Sequence, residues 1–279
     1  EQVGKNHSKN TEKRRKLSME TLRKNKKLML YLAKNDFRTK YAGSYFGIFW
    51  AFVQPLITIL LYWFVFQLGF RSSDIENIPF VLWLMAGLIP WFYFSESVIN
   101  GTNCFLEYNY LVKKVKFEIK ILPIVKIMSS LFVHGFFVIL LLVCYAIMGL
   151  FPGIIVIQLL YYSAAMILLS LAFCYLTSAI AVFFRDTTQI VGIIVQIGVW
   201  MTPIMWQFET MPLPGWLKQI FKLNPMFYIV QGYRDTMIGN VWFFERWKIT
   251  IYFWVFTILL FVVSRKVYQR LKPHFADVL

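Results

Sequence analysis

The sequence predicts an all-α, polytopic membrane protein with six transmembrane helices, and three observations lead there. First, 58% of the 279 residues are hydrophobic and 15% are charged, against roughly 45–50% and about 25% in an ordinary soluble domain. Second, the apolar residues gather in long runs. Third, the 29 Lys and Arg residues, which outnumber 14 Asp and Glu for a net charge of +15, fall mostly between alternate runs. A simple nucleic-acid binder would share the charge but not the runs.

A bilayer core of about 30 Å needs roughly 20 apolar residues per helix. Runs of that order lie at about Trp50–Phe70, Phe80–Ile99, Ile124–Leu150, Ile154–Phe184, Ile190–Trp206 and Ile249–Ser264. Pro90 lies inside the second, where the missing N–H should kink the helix. Pro152-Gly153 reads as a tight outer turn, the fourth run is longer than a bilayer requires, and the fifth is short with Pro203 near its end. With the N-terminus inside, 23 of the 29 basic residues fall on the cytoplasmic side, so both termini are expected there. No removable signal peptide is expected, since the chain opens on a basic polar stretch.

Residues 1–16 are polar and basic and read as a disordered tail. Ser18 is a plausible N-cap for an amphipathic interfacial helix over 17–42. It sets Leu22, Met29, Ala33, Phe37 and Tyr41 on one stripe, with Lys24, Lys27, Lys34 and Arg38 elsewhere. This pattern suits a helix lying on anionic lipid, and equally a generic positive-inside anchor. A transmembrane domain then spans 43–272, followed by a short tail at 273–279.

The cytoplasmic segment between spans two and three is too apolar for a plain linker. Phe105, Leu106, Tyr110 and Leu111 fit one helical face, and Lys113, Lys114, Lys116, Glu118 and Lys120 interleave with Val115, Phe117, Ile119 and Ile121. Such a helix suits docking to a soluble partner, or simply a membrane-surface loop. Between spans five and six, Trp216, Leu217, Ile220 and Phe221 recur at helical spacing. Asn224-Pro225 reads as N-cap and first residue of a second short helix carrying Phe227, Ile229, Val230 and Tyr233. Two short helices there predict a re-entrant outer pair.

The inventory for chemistry is short. Cys104, Cys144 and Cys174 have no metal spacing and read as packing residues. His134 is alone in the third span, and Glu96 is the one carboxylate at membrane depth, functional or merely paired. A polytopic glycosyl- or acyltransferase would need these two as its active groups. No catalytic residue and no metal site is assigned, and the chain alone is not expected to be an enzyme. No phosphate-binding loop is present, so any nucleotide hydrolysis must come from another chain. Aromatics are 19% of residues; most suit interfacial belts, and Trp63, Trp91 and Glu96 are candidates to line a translocation path.

Several fragments read together in one order: Phe37-Arg38-Thr39-Lys40-Tyr41, Gly43-Ser44, Gly47, Trp50, Gln54-Pro55-Leu56, Ala86-Gly87-Leu88-Ile89-Pro90-Trp91, Leu111-Val112-Lys113-Lys114, Ile121-Leu122-Pro123, Arg185-Asp186-Thr187-Thr188-Gln189, Thr202-Pro203-Ile204 and Asn224-Pro225. Over about residues 30–272 this set resembles the permeases of type-2 ATP-binding-cassette exporters for polysaccharides and polyol phosphates. Trp63-Phe64-Val65-Phe66, Gly69-Phe70-Arg71 and Ile78-Pro79-Phe80 are most similar to the branch that exports wall teichoic acid, with O-antigen and capsule permeases as the alternative. Glu118 departs from the proline that relatives often carry after Phe117.

The resemblance implies a bacterial plasma-membrane half-transporter: two copies of this chain with two copies of a separate ATPase that binds ATP and Mg. No cofactor is expected in this chain. The cargo would be a polymer on a polyprenyl diphosphate, moved from inner to outer leaflet; nucleic acid is not an expected partner. By the same resemblance Phe105, Leu106, Tyr110, Leu111, Phe117, Glu118, Arg185 and Asp186 would face the ATPases, and Trp216, Phe221, Phe227 and Tyr233 would gate the exit. Arg38, Lys113, Lys114 and Lys116 are candidates to attract the diphosphate headgroup, because their long side chains reach headgroup level.

Overall fold

Helix follows apolar sequence almost throughout the computed structural model, which describes residues 26–70, 74–75, 78–113, 118–208 and 211–279. The expected tail at 1–16, Ser18, Leu22, Lys24, Lys114, Lys116 and Phe117 lie outside the described residues. Helix α1 covers 26–40. Helix α2 (Trp50–Trp63) begins from a 3-10 turn and continues into a π-helical turn, Phe64–Gly69. Helix α3 is Phe80–Thr102, and two single-turn helices follow, α4 (Cys104–Glu107) and α5 (Asn109–Val112).

The chain then runs through α6 (Ile121–Ile147), a 3-10 turn (Gly153–Ile157) leading into α7 (Gln158–Ala181), and α8 (Thr187–Met201). Helices α9 (Gly215–Lys222) and α10 (Pro225–Arg234) come next, then α11 (Trp247–Leu271) and α12 (Phe275–Val278). Among the described residues β-structure is limited to an Ile75–Ile78 bridge.

Among the described residues, five helical segments are long and apolar enough to cross a membrane: Gly47–Gly69, Phe80–Thr102, Ile121–Ile147, Gly153–Ala181 and Trp247–His274. The sixth expected span is shorter. Helix α8 has 15 residues, about 22 Å at 1.5 Å per residue, because Thr202 turns extended (φ −97°, ψ 125°) ahead of Pro203, as residues before proline do. Pro90 does not interrupt α3, and Pro123 sits in the first turn of α6, where no intrahelical donor is lost.

Helix α3 is the axle of the fold. It packs against α2, α6, α7, α8 and α10, and 78% of its most apolar stretch is buried, against 11% in Gly47–Gly69 and 17% in Trp247–His274. The outer faces of α2 and α11 instead expose Ile57, Leu60, Leu61, Ile258 and Leu259. Each such side chain would cost about 1.5–3 kcal/mol to leave in water; lipid removes that cost.

Two glycines permit the closest approaches. A Cβ on Gly232 of α10 would meet the Tyr162 ring of α7 at 2.1 Å, and one on Gly101 of α3 would meet Cys174 Sγ at 2.2 Å.

The antiparallel helices give the bundle two ends. One end gathers α1, the C-terminal turns of α3, α7 and α11, the start of α6 and α8, and α4, α5 and α12. Its small core joins Cys104, Phe105, Leu122, Tyr268 and Phe275. Most of the described basic residues lie here. The opposite end holds α9, α10 and the starts of α3, α7 and α11.

Candidate functional site

At the basic end, α1 carries Ala33 and Asp36 on its buried face. The steps 29, 33, 36 and 40 are three or four residues each, so Met29, Ala33, Asp36 and Lys40 share one side of the helix. Asp36 meets Lys126 in the second turn of α6, where Nζ donates to Oδ1 at 2.7 Å. Both side chains are 8% exposed. Lys126 also donates to Glu107 of α4, and Tyr108 Oη donates to Asp36 at 2.7 Å. Burial, and then the hydrogen bond to Asp36, push the Tyr108 phenol well above its ordinary pKa, so it stays a neutral donor.

A second ion pair, Lys40 with Glu96 of α3, lies a turn further along α1. Between the two pairs is a cavity of about 370 Å³ completed by Thr39 and Asn100. Removing one member of a buried pair strands the other charge, so Asp36 and Lys126 require each other. The cluster fastens α1 to α3 and α6, and the α4 turn to the same lysine.

Three further bonds tie the neighbouring elements together. Thr188 at the start of α8 donates to Asn103 Oδ1 at 2.7 Å, Thr102 pairs with Thr177 of α7 at 2.7 Å, and Tyr175 donates to the Lys120 carbonyl at 2.7 Å. The exposed Arg185-Asp186 turn between α7 and α8 is thereby held beside α4 and α5.

At the opposite end, Asn224 caps α10 by accepting from Met226 N at 3.0 Å, with Pro225 as the first helical residue. Its amide also donates to Thr202 Oγ1 at 2.8 Å. Arg234, at the other end of α10, is 5% exposed. Its two terminal nitrogens donate to the carbonyls of Pro203 and Ile204 at 2.5 and 2.6 Å. The guanidinium thus supplies donors to backbone that the broken end of α8 leaves without helical partners. Phe208 then packs on Phe227 (5.0 Å between ring centres) and Phe221 (6.3 Å).

A model of one family matches residues 27–238, described as the ABC-2 type transporter. The chain belongs to the ABC-2 type transporter family. Family membership implies an ATP-binding partner subunit, and with the apolar helices it makes this a multi-pass membrane protein. An O-antigen export system permease protein of Myxococcus xanthus is 29% identical over 215 residues, which cover 74% of this chain and 78% of the relative. Two such permeases of Klebsiella pneumoniae are 24% and 25% identical over 259 residues, covering 90% of this chain and 95% of each relative.

In this ABC-2 chain the residues singled out by sequence separate into exposed and buried sets. Tyr110, Glu118, Arg185 and Asp186 are exposed, and Leu106 and Leu111 are half-buried. Phe105 is not on their surface. The helix breaks at Tyr108 (φ −100°, ψ 31°), so the single expected face is divided, and Phe105 is fully buried against Tyr268 and Phe275. Glu118 pairs with Lys120 at 3.3 Å. Arg38 and Lys113 are exposed at the basic end.

Of the path candidates, Trp63 is half-buried and donates to Gln67. Trp91 is buried against Gly198 of α8, and Glu96 is engaged by Lys40. Of the outer set, Trp216 is exposed, Phe221 and Phe227 meet through Phe208, and Tyr233 lies apart in the interior. There Tyr233 bonds His134 Nε2 at 3.1 Å and Ser163 Oγ at 2.7 Å. His134 also packs on the ring of Tyr93, one turn from Glu96. The two groups that an enzyme would need are therefore closer in level than their separate spans imply. Each is already committed to a partner on another helix.

Sequence reasoning did not single out Asp36, Tyr108, Lys126 or Arg234. The i+3 and i+4 spacing of Asp36 from Ala33 and Lys40 was the available signal for the first.

Proposed function

We propose that this chain is the membrane-spanning permease of an ATP-driven polysaccharide exporter, which moves a polymer on a polyprenyl diphosphate from the cytoplasmic to the outer leaflet. Two copies would work with two copies of the ATP-binding subunit, which binds ATP and Mg. This chain contributes no catalytic group and no cofactor. The observation that carries the reading is the gathering of α1, α4, α5 and the Arg185-Asp186 turn at the end that also holds most of the described basic residues. That end is the cytoplasmic one in this reading, with both termini, and it presents polar surface to a soluble motor and cationic side chains to anionic headgroups.

For cargo, the relatives named above are O-antigen export permeases, and they support an O-antigen-like polysaccharide at least as well as anything else. The narrower expectation of wall teichoic acid gains nothing from them. Helices α9 and α10 would form the re-entrant outer pair, with Trp216, Phe221 and Phe227 toward the exit. Arg38 and Lys113, with Lys114 and Lys116, would meet the diphosphate.

The test is complementation by the chain expressed with its ATP-binding subunit. In a strain lacking its O-antigen export permease, polymer should reach the surface; in one lacking its teichoic-acid permease, it should not. The reverse pattern would restore the teichoic-acid reading, and rescue of neither would contradict polymer export.

A further inference from the structure

Among the described residues, Lys126 forms ion pairs with both α1 and α4, two of the elements read as motor-facing. Its Nζ lies 2.7 Å from Asp36 of α1 and also donates to Glu107 of α4, while its backbone belongs to α6, a long span. Tyr108 closes the ring by donating to the same Asp36 oxygen at 2.7 Å, and its aromatic face lies 5.1 Å from the lysine nitrogen. Other links between α1 and the bundle, such as Lys40 with Glu96, bypass α4.

The burial is uneven in an informative way. Asp36 and Lys126 are each 8% exposed, whereas Glu107 is 49% exposed. The first pair is therefore a fixed anchor, since separating it would leave an uncompensated buried charge. The second is the joint that solvent can reach.

We propose that Lys126 is a positioning residue, a latch that makes α1 and the α4–α5 loop move as one body and passes that motion into α6. The proposal rests on the export reading only for its functional half. Without the lysine, Asp36 keeps only the neutral Tyr108 donor, at a cost in stability that Glu107→Gln avoids; α1 keeps Lys40–Glu96 and α4 keeps its Phe105 core, but the two no longer share an ion-paired link. Each then answers the motor separately, and ATP hydrolysis continues with less cargo moved per ATP.

The experiment uses the full chain in complex with its ATP-binding subunit. Spin labels go on the exposed positions Lys34→Cys in α1 and Asn109→Cys in α5, in a Cys144→Ala background; Cys104 and Cys174 are buried. The interlabel distance distribution should be narrow with Lys126 and with Lys126→Arg, and broad with Lys126→Met. Polymer exported per ATP should fall at least about fivefold in Lys126→Met, the low end of ordinary coupling between sites, and recover in Lys126→Arg.

Glu107→Gln, at a half-exposed position that does not threaten folding, should broaden the same distribution. Unchanged widths in both Lys126→Met and Glu107→Gln would overturn the latch. Broadening with unchanged export per ATP would overturn the transmission of motion. Because the distance measurement needs no cargo, failure of the export reading itself would show separately, as a parent complex that moves no polymer.

Discussion

The guanidinium carbon of Arg234 lies 3.4 Å from the centre of the Trp83 ring, and its outer nitrogens hold the carbonyls of Pro203 and Ile204. One buried side chain thus joins α10, α3 and the segment after α8. Lysine keeps the charge but not the flat, forked donor set. Arg234→Lys should cost about 3.5–5 kcal/mol, from a desolvated cation–π contact of about 2 and one charged hydrogen bond of roughly 1.5–3. Thermal unfolding in detergent checks this, and Trp83→Leu should cost much less in the Arg234→Lys background than alone. Full additivity would contradict the stacking.

Gly232 offers a test of sign. In a helix interior, alanine should stabilise relative to glycine by about 1 kcal/mol, but here the new methyl would enter the Tyr162 ring. Gly232→Ala should therefore destabilise by about 1–3 kcal/mol, the usual cost of overpacking, and Tyr162→Leu should recover part of it. A more stable Gly232→Ala protein would mean that α7 and α10 do not pack this closely.

These two contacts also mark how far the sequence could be read. Five of the six apolar runs form membrane-length helices because lipid imposes one length on every span, and Asn224-Pro225 marked the start of α10 because cap chemistry is local. What stayed hidden depends on partners distant in the chain. The partner of Asp36 is Lys126, ninety positions away, and no local pattern announces that pairing. Arg234 was counted only as a basic residue of the outer segment, since nothing local says that it will be stacked on Trp83. Phe105 looked like part of a docking stripe because periodicity assumes a continuous helix, and the break at Tyr108 turns that residue inward.

That break separates two effects within the expected motor-facing set. Phe105→Ala should lower stability by about 3–5 kcal/mol, as for a large buried aromatic. Tyr110→Ala, at a side chain 55% exposed, should leave the unfolding temperature nearly unchanged and weaken recovery of the ATP-binding subunit. Pull-down yields and unfolding curves on the same preparations decide it. A drop in stability for Tyr110→Ala with full subunit recovery would assign that residue to packing instead.

The Lys40–Glu96 pair predicts a quieter outcome. Its members are 33% and 25% exposed, so solvent screens the attraction and the pair should contribute roughly 0.2–1 kcal/mol. Glu96→Gln should shift unfolding slightly and leave export within about twofold, a change near 0.4 kcal/mol at most. Loss of export at unchanged stability would instead place Glu96 on the cargo path.

The central claim is that this ABC-2 chain carries polymer across the membrane only when driven by its partner. The most direct measurement reconstitutes the chain with its ATP-binding subunit in liposomes and follows polyprenyl-diphosphate-linked polysaccharide from one leaflet to the other. The account predicts movement that requires ATP and both subunits, absent when either is omitted. Equal movement by this chain alone, without nucleotide, would contradict it.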